Sequence, residues 1–203
     1  MPYTSEVRVG APDQATGTGA IKRAPLGTTL PSLSSITPAA VTLDAAFHGD
    51  EYVSSDGLTL SPSISTTEIN DWSGATMRKV IESFDGTLTW TMISTNENAL
   101  KIAFGDSHVT TQAANATHGN QAMAQLGAYL PEAQSWVFLM KDGDARIVVL
   151  VPNGQVTEVG DVTFVSNDAV GWEVTLSAYP DSSGVCIYIL TDDGQVISST
   201  TTA

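Results

Sequence analysis

The sequence predicts a mainly β protein: an antiparallel β-sandwich or barrel with one short flanking helix, a long loop and an extended N-terminal arm. Three observations predict it. Apolar and polar residues alternate over Thr87–Met92 and over Trp172–Ala178, the two-residue period of a half-buried strand. Two apolar runs, 136–140 and 147–151, are joined by Lys141-Asp142-Gly143-Asp144, a hairpin with Asp-Gly at its tip. Residues 96–105 alone read as a helix with both a start and a stop signal.

Taken in order, residues 1–42 are rich in Gly, Thr, Ser and Ala and are punctuated by Pro12, Pro25, Pro31 and Pro38. They read as an extended arm with little core of its own, ordered only against a partner surface. The domain proper is expected over 43–203. Ser55-Asp56-Gly57 is a turn signal, and the polar stretch 48–80, with Pro62, Asn70-Asp71 and Ser73-Gly74, reads as a long loop or a loosely held hairpin. Long loops without structure of their own tend to be functional. The helix is expected over 96–104, with Asn96 as N-cap, Glu97 in the first turn and Gly105 as terminator. Ala99, Leu100, Ala103 and Phe104 would form its buried stripe. Residues 106–130 are Ala/Gln/Thr/Asn-rich and carry no assignable period. Asn153-Gly154 reads as a second tight turn, followed by strands at Val156–Val159 and Val162–Val165 kinked at Gly160-Asp161. Asp181-Ser182-Ser183-Gly184 then turns the chain into a last strand, Val185–Leu190.

The runs 136–140 and 147–151 are apolar on both faces, whereas an antiparallel strand usually shows one face to water. Trp136, Phe138 and Met140 on the first strand and Ile147, Val149 and Val151 on the second therefore mark a hairpin in need of cover on two sides. The helix and loop could supply it; a neighbouring copy of the chain is the favoured source.

Composition narrows the function. The chain has 203 residues, 42% of them hydrophobic, enough to bury a core, and only 15% charged. Eight Lys plus Arg against 22 Asp plus Glu give a net charge of −14, which argues against nucleic-acid binding and against adhesion to an anionic membrane. Acidity leaves repulsion of nucleic acid open, beside plain solubility. The lone Cys186 reads as a small buried hydrophobe and allows no disulfide framework. One thiol and three scattered histidines build no metal site without carboxylate help, and no cofactor is implied. The N-terminus has no basic head followed by an apolar stretch and is not read as a signal peptide; no apolar run approaches the ~20 residues that span a bilayer. The protein is expected to be made in a cytoplasm and to leave it, if at all, by a route such as lysis.

His48, His108 and His118 each sit in polar loops, where a solvated histidine is the common case. There is no Gly-x-Ser-x-Gly elbow, phosphate loop, His-Glu-x-x-His or Cys-x-x-Cys pattern. The acid pairs Asp142/Asp144 and Asp192/Asp193 occupy turn signals, and turn-forming is their usual role. Trp90, Trp136 and Trp172 occupy strand positions facing the presumed core. Trp72, in Asn70-Asp71-Trp72-Ser73-Gly74, is an aromatic in a polar loop and suggests an anchor for a partner surface.

Several segments resemble the major tail (tail-tube) proteins of long, non-contractile-tailed bacteriophages, particularly those of actinobacterial hosts. They are Ala24-Pro25-Leu26-Gly27-Thr28-Thr29-Leu30-Pro31, Leu43-Asp44-Ala45-Ala46-Phe47, Tyr52-Val53-Ser54-Ser55-Asp56-Gly57-Leu58-Thr59, Ile69-Asn70-Asp71-Trp72-Ser73-Gly74, Val151-Pro152-Asn153-Gly154-Gln155-Val156-Thr157-Glu158-Val159-Gly160-Asp161 and Ala178-Tyr179-Pro180-Asp181. The resemblance implies a non-enzymatic, cofactor-free virion subunit assembled in the bacterial cytoplasm. Hexameric rings would stack into a tube with an inner β-barrel built from hairpins of all subunits, through which phage DNA passes without specific binding. Its partners would be other copies of itself and the tape measure, tail terminator and baseplate or tail-tip proteins, with no membrane. The loop, with Asp56, Gly57 and Trp72, would contact the next ring, and Trp136, Phe138, Met140, Ile147, Val149 and Val151 would form the inter-subunit barrel hairpin. Part of the acidic charge would line the lumen. Many relatives append an immunoglobulin-like domain, which is not expected here. Rival readings are a tail terminator or head-decoration protein, a carbohydrate-binding β-sandwich, and a carboxylate-dyad hydrolase.

Overall fold

The computed structural model describes residues 7–13, 19–49 and 51–196; the expectations for Met1–Glu6, for 14–18 of the arm and for Asp50 lie outside them. Ten strands and one α-helix are found among the described residues. They are β1 (Ala11–Pro12), β2 (Ile21–Pro25), β3 (Val53–Asn70), β4 (Thr76–Met92), α1 (Glu97–Phe104), β5 (Val109–Gln112), β6 (Gln121–Ala124), β7 (Gln134–Asp142), β8 (Ala145–Val159), β9 (Trp172–Tyr179) and β10 (Tyr188–Asp192). All the strand pairs are antiparallel.

The first half of β8 lies between β7 and β10 (Phe138↔Val149, Ile189↔Val149), and its second half pairs with β9 (Val156↔Leu176). One eight-stranded sheet is thereby folded into two halves, with β2 and β1 on the outer edge of β7 and β4 and β3 beyond β9. It is a sandwich and not a closed barrel. Leu88, Trp90 and Met92 of β4 pack across the interior on Trp136 and Phe138 of β7, Val149 and Val151 of β8, and Val174 and Leu176 of β9. Trp90 sits 5.7 Å from Trp136 and edge-on to Phe138 at 5.4 Å, the geometry aromatic quadrupoles prefer.

Helix α1 starts and stops on the expected signals. The Asn96 side chain accepts from the Ala99 N–H at 2.8 Å, and Gly105 ends the helix at φ 89°, open to glycine. Its buried residues are Ala99, Ile102 and Ala103, with Leu100 and Phe104 half-buried. The expected stripe omitted Ile102.

Several expectations need correction. The apolar hairpin is covered on both sides by its own chain. Val137, Leu139, Val148 and Leu150, on the face turned away from the sandwich interior, pack under Leu30, Ile36, Val41, Leu43 and Phe47, with Tyr188 and Leu190 beside them. The cover comes from the segment read as a free arm. Residues 21–25 pair with β7 (Ile21↔Phe138 through Pro25↔Gln134), and Ile36 bridges Val41. Arg146, 3% exposed, donates to the carbonyls of Thr37 and Pro38 and pairs with Asp13, pinning this cover down. Position 42 is not a packing boundary.

Of the two forms expected for 48–80, a long loop or a loosely held hairpin, the stretch belongs largely to a long hairpin, β3 pairing β4 from Val53↔Met92 to Asn70↔Thr76. Pro62 is tolerated because β3 is an edge strand. Asp56-Gly57 does not reverse the chain; it lies in the register shift between Val53 and Leu58, where Gly57 takes φ 71°. Asn153-Gly154 is no turn either, since β8 runs through it. Trp136 Nε1 donates to the Gly154 carbonyl at 3.1 Å, and a Cβ there would stand 2.9 Å from the indole. Val162–Val165 forms no strand, the last strand spans 188–192, and 106–130 contains a one-turn 3-10 helix and the β5–β6 hairpin.

Candidate assembly surfaces

The β3–β4 ribbon leaves the body at about Leu60↔Leu88 and Pro62↔Gly86, and every residue of β3 from 61 and of β4 up to 85 is exposed. Alternation gives the ribbon two unlike faces. One continues the inner, apolar side of β4: Ile64 opposes Phe84, and Ile81 follows opposite Thr66 after a register shift. These side chains are 61%, 40% and 67% exposed, so apolar surface that is core in the body stands in water on the ribbon. The other face continues the outer side and carries Ser61, Ser63, Ser65 and Thr67, with Val80 opposite Thr67 and Arg78 opposite Ile69 nearer the tip. Farther along the first face, beyond Thr66 and Ile81, Glu68 and Lys79 are directly cross-strand and pair at 2.6 Å, while Thr67 on the second face donates to Glu82 at 2.9 Å.

The tip is ordered by its own polar groups. Asp71 accepts from the Ala75 N–H and the Ser73 hydroxyl, and its carbonyl accepts from the Gly74 N–H. The hydrogen bonds from Ser73 and Ala75 hold the Asp71 carboxyl below the usual carboxylate range. Trp72 rides on this turn fully exposed. Trp90, Trp136 and Trp172 are buried, as their strand positions indicate.

The outer face of the sheet half β8–β9–β4–β3 is a carpet of hydroxyls: Thr157 on β8, Thr175 and Ser177 on β9, and Thr87, Thr89 and Thr91 on β4. Thr157 and Ser177 are linked at 2.8 Å, and Thr89 meets Thr175 at 3.4 Å. Asp85, Glu158 and Glu173 lie on the same face, and residues 147–203 contain no Lys or Arg.

Of the site residues expected from sequence, Trp136, Phe138, Val149 and Val151 are core, and Met140 and Ile147 are half-buried. β7 has β2 and β8 on its two edges, and the first half of β8 has β7 and β10, so these six residues present no free sheet edge. Gly57 and Met140 border one open seam, between the start of β3 and the β2–β7 edge. Trp72 is brought together with none of the six. Alternation alone sets Thr87, Thr89 and Thr91, and Glu173, Thr175 and Ser177, on the polar sides of their strands; that β8, β9 and β4 bring them together on one face is set by the strand pairing and has no local signal.

Arg23, 2% exposed, forks onto both carboxylate oxygens of Asp106 at 2.9 Å and also reaches Gln134 at 3.0 Å, tying β2 to the segment after α1 and to β7. Nothing in the sequence around Asp106 signalled that pairing. The histidines are engaged locally: His48 and His118 through their rings with nearby backbone carbonyls, and His108 stacked on Tyr129. Among the described residues no group of three or more His, Cys, Asp or Glu is placed to hold a metal, and no helix is long and apolar enough to cross a membrane.

A family model described as "Phage tail tube protein" matches residues 13–201. No curated protein matches the chain. Among solved structures, the chain is similar to the anti-feeding prophage cap (the AFP tube-terminating cap), at 16% identity and a TM-score of 0.43 over 95% of this chain and 100% of that one. It is also similar to a chain of the native gene transfer agent virion, at 12% identity and a TM-score of 0.37 over 66% of this chain and 85% of that one. The family match places the chain among the structural proteins of phage tails. It belongs to the phage tail tube protein family, and its place is the virion.

Proposed function

We propose that copies of this chain close into hexameric rings which stack into a tail tube, with the hydroxyl face of β8–β9–β4–β3 as the wall of the DNA conduit. The observation that carries this reading is the composition of that face. A passage for DNA has to lack cations, because each Lys or Arg that meets a phosphate releases counterions and binds. Within the body, as far as the root of the ribbon, this face offers neutral hydroxyls with Asp85, Glu158 and Glu173 among them and no base. The wall moves from the 136–151 hairpin to this sheet because the hairpin has no free face or edge to give. The role is non-enzymatic and needs no cofactor. The tape measure, tail terminator and tail-tip proteins are its expected partners, and no membrane is involved.

In this reading the projecting ribbon is the arm by which one copy holds another. A lone two-stranded ribbon is marginally stable in water, so a ribbon this long and this apolar on one side gains most by packing on a neighbour. Phage carrying Thr89→Lys together with Thr175→Lys test the wall. Assembled virions should eject DNA more slowly than wild type, increasingly so as salt is lowered; unchanged ejection kinetics would remove this face from the conduit. The sugar-binding rival loses its aromatic platform, with three of four tryptophans in the core.

A further inference from the structure

The ribbon leaves the sheet at the Gly86 end of β4, and a second apolar surface lies at the other end of the same strand. There β4 finishes at Met92, β8 at Val159 and β9 begins at Trp172, so the connection 160–171 is placed at the end of the sheet remote from the ribbon. Phe164 and Val165 in this connection are 74% and 47% exposed. Tyr52 and Ile93, joined by the Ile93 N–H to Tyr52 carbonyl bond, are 59% and 41% exposed at the same end. Phe164 leans edge-on against Trp172 at 6.5 Å, which fixes an exposed ring over a buried one.

The ribbon as a whole is acidic, with Glu68, Asp71, Glu82 and Asp85 against Arg78 and Lys79, but one of its cations is free to meet the acidic remote end. The remote end carries Asp161 and Asp168 on its exposed connection, with Glu158 and Glu173 at the flanking strand ends and no base between 147 and 203. On the ribbon Lys79 is matched by Glu68, while Arg78, one register position from that pair, has no ion-pair partner among the described residues. An apolar tip with a spare cation therefore sits at one end of the molecule, and an apolar, acidic platform at the other.

Resting on the tube reading above, we infer that the ribbon tip of one copy (Trp72, Met77, Arg78) lands on the platform Tyr52, Ile93, Phe164 and Val165 of a second copy, with Arg78 meeting Asp161 or Asp168. Two different patches meeting head to tail leave each copy with one of each still free, so the contact propagates from copy to copy as a tube requires.

The test is a chain carrying Ser73→Cys and Ser166→Cys in a Cys186→Ser background, treated with a short bis-maleimide at a concentration where the wild-type chain forms tubes. A ladder of covalent multimers is expected, absent from either single-cysteine chain. Arg78→Glu should raise the concentration needed for assembly roughly tenfold, the equivalent of about 1.4 kcal/mol, and adding Asp161→Lys and Asp168→Lys should recover most of it. Tubes that form without the ladder and ignore the Arg78 reversal would overturn the landing site while leaving the tube reading intact. A wild-type chain that never forms tubes would overturn both.

Discussion

Asp106 shows how a polar residue after a helix becomes structural. Its largest single influence is burial, which pushes the carboxyl up. The hydrogen bonds and charge of Arg23, the Gln134 amide and the charge of Lys101 together outweigh burial and hold the carboxyl below its ordinary range. A carboxyl lowered in the folded state adds stability above its unfolded value near ~4, and that stability is lost as pH falls through the folded value. Asp106→Asn should cost about 2 kcal/mol at neutral pH by denaturant titration; the roughly 3–5 kcal/mol of a fully buried broken pair is too much for a carboxylate 43% exposed. The difference between wild type and variant should hold above about pH 5 and shrink as pH is lowered from there toward about 2. A gap that holds constant across that range would separate the stability from the ion pair. Gly154 makes a second residue-scale case. Gly154→Ala places a methyl 2.9 Å from Trp136, 3.0 Å from Val151 and 3.1 Å from Leu176, so overpacking should cost about 1–3 kcal/mol. Were Gly154 the turn residue that Asn-Gly suggested, the substitution would instead strain a loop and leave the Trp136 fluorescence environment untouched.

At the scale of elements, the ribbon and the cover segment behave oppositely. Replacing residues 64–84 with Asn-Gly joins Ser63 to Asp85, which already face each other in register. The shortened chain should fold with an unchanged circular dichroism signature for the body and fail to polymerise; long tubes from it would show that the ribbon is dispensable. Limited proteolysis probes the cover segment. Cleavage within 26–47 should be slow in the monomer as well as in assembled protein, because Ile36 and Val41 are core and Arg146 holds the Thr37 and Pro38 carbonyls. Rapid monomer cleavage there would restore the free arm.

Legibility followed pattern strength. Strands with strict alternation, such as Trp172–Tyr179, and a helix with Asn96 and Gly105 at its ends could be read directly. β3 reads only as a loop or a loosely held hairpin, because an edge strand half in solvent has no side that must be apolar, and Ser, Thr and Pro62 there resemble a loop. The cover segment was missed because Leu30, Ile36, Val41 and Leu43 are single apolar residues spaced by turn formers, and tertiary packing alone selects them. Val156–Val159 was placed in a strand, but Asn153-Gly154 suggested a break where Trp136 requires only the absence of a side chain.

For the whole molecule, both faces of the 136–151 hairpin are hidden by the chain itself, so assembly is not driven by uncovered core. In the proposed reading it falls instead to surfaces outside the body: the ribbon with its exposed Ile64, Ile81 and Phe84, the platform at the far end, and the face of hydroxyls as the wall past which DNA moves. Cryo-electron microscopy of tubes grown from the purified chain tests this most directly. The account predicts a hollow cylinder whose inner surface carries Thr89, Thr175, Thr157 and Ser177, with the 136–151 hairpin inside each subunit. A cylinder lined by Trp136–Val151, or a chain that stays monomeric at every concentration, would contradict it.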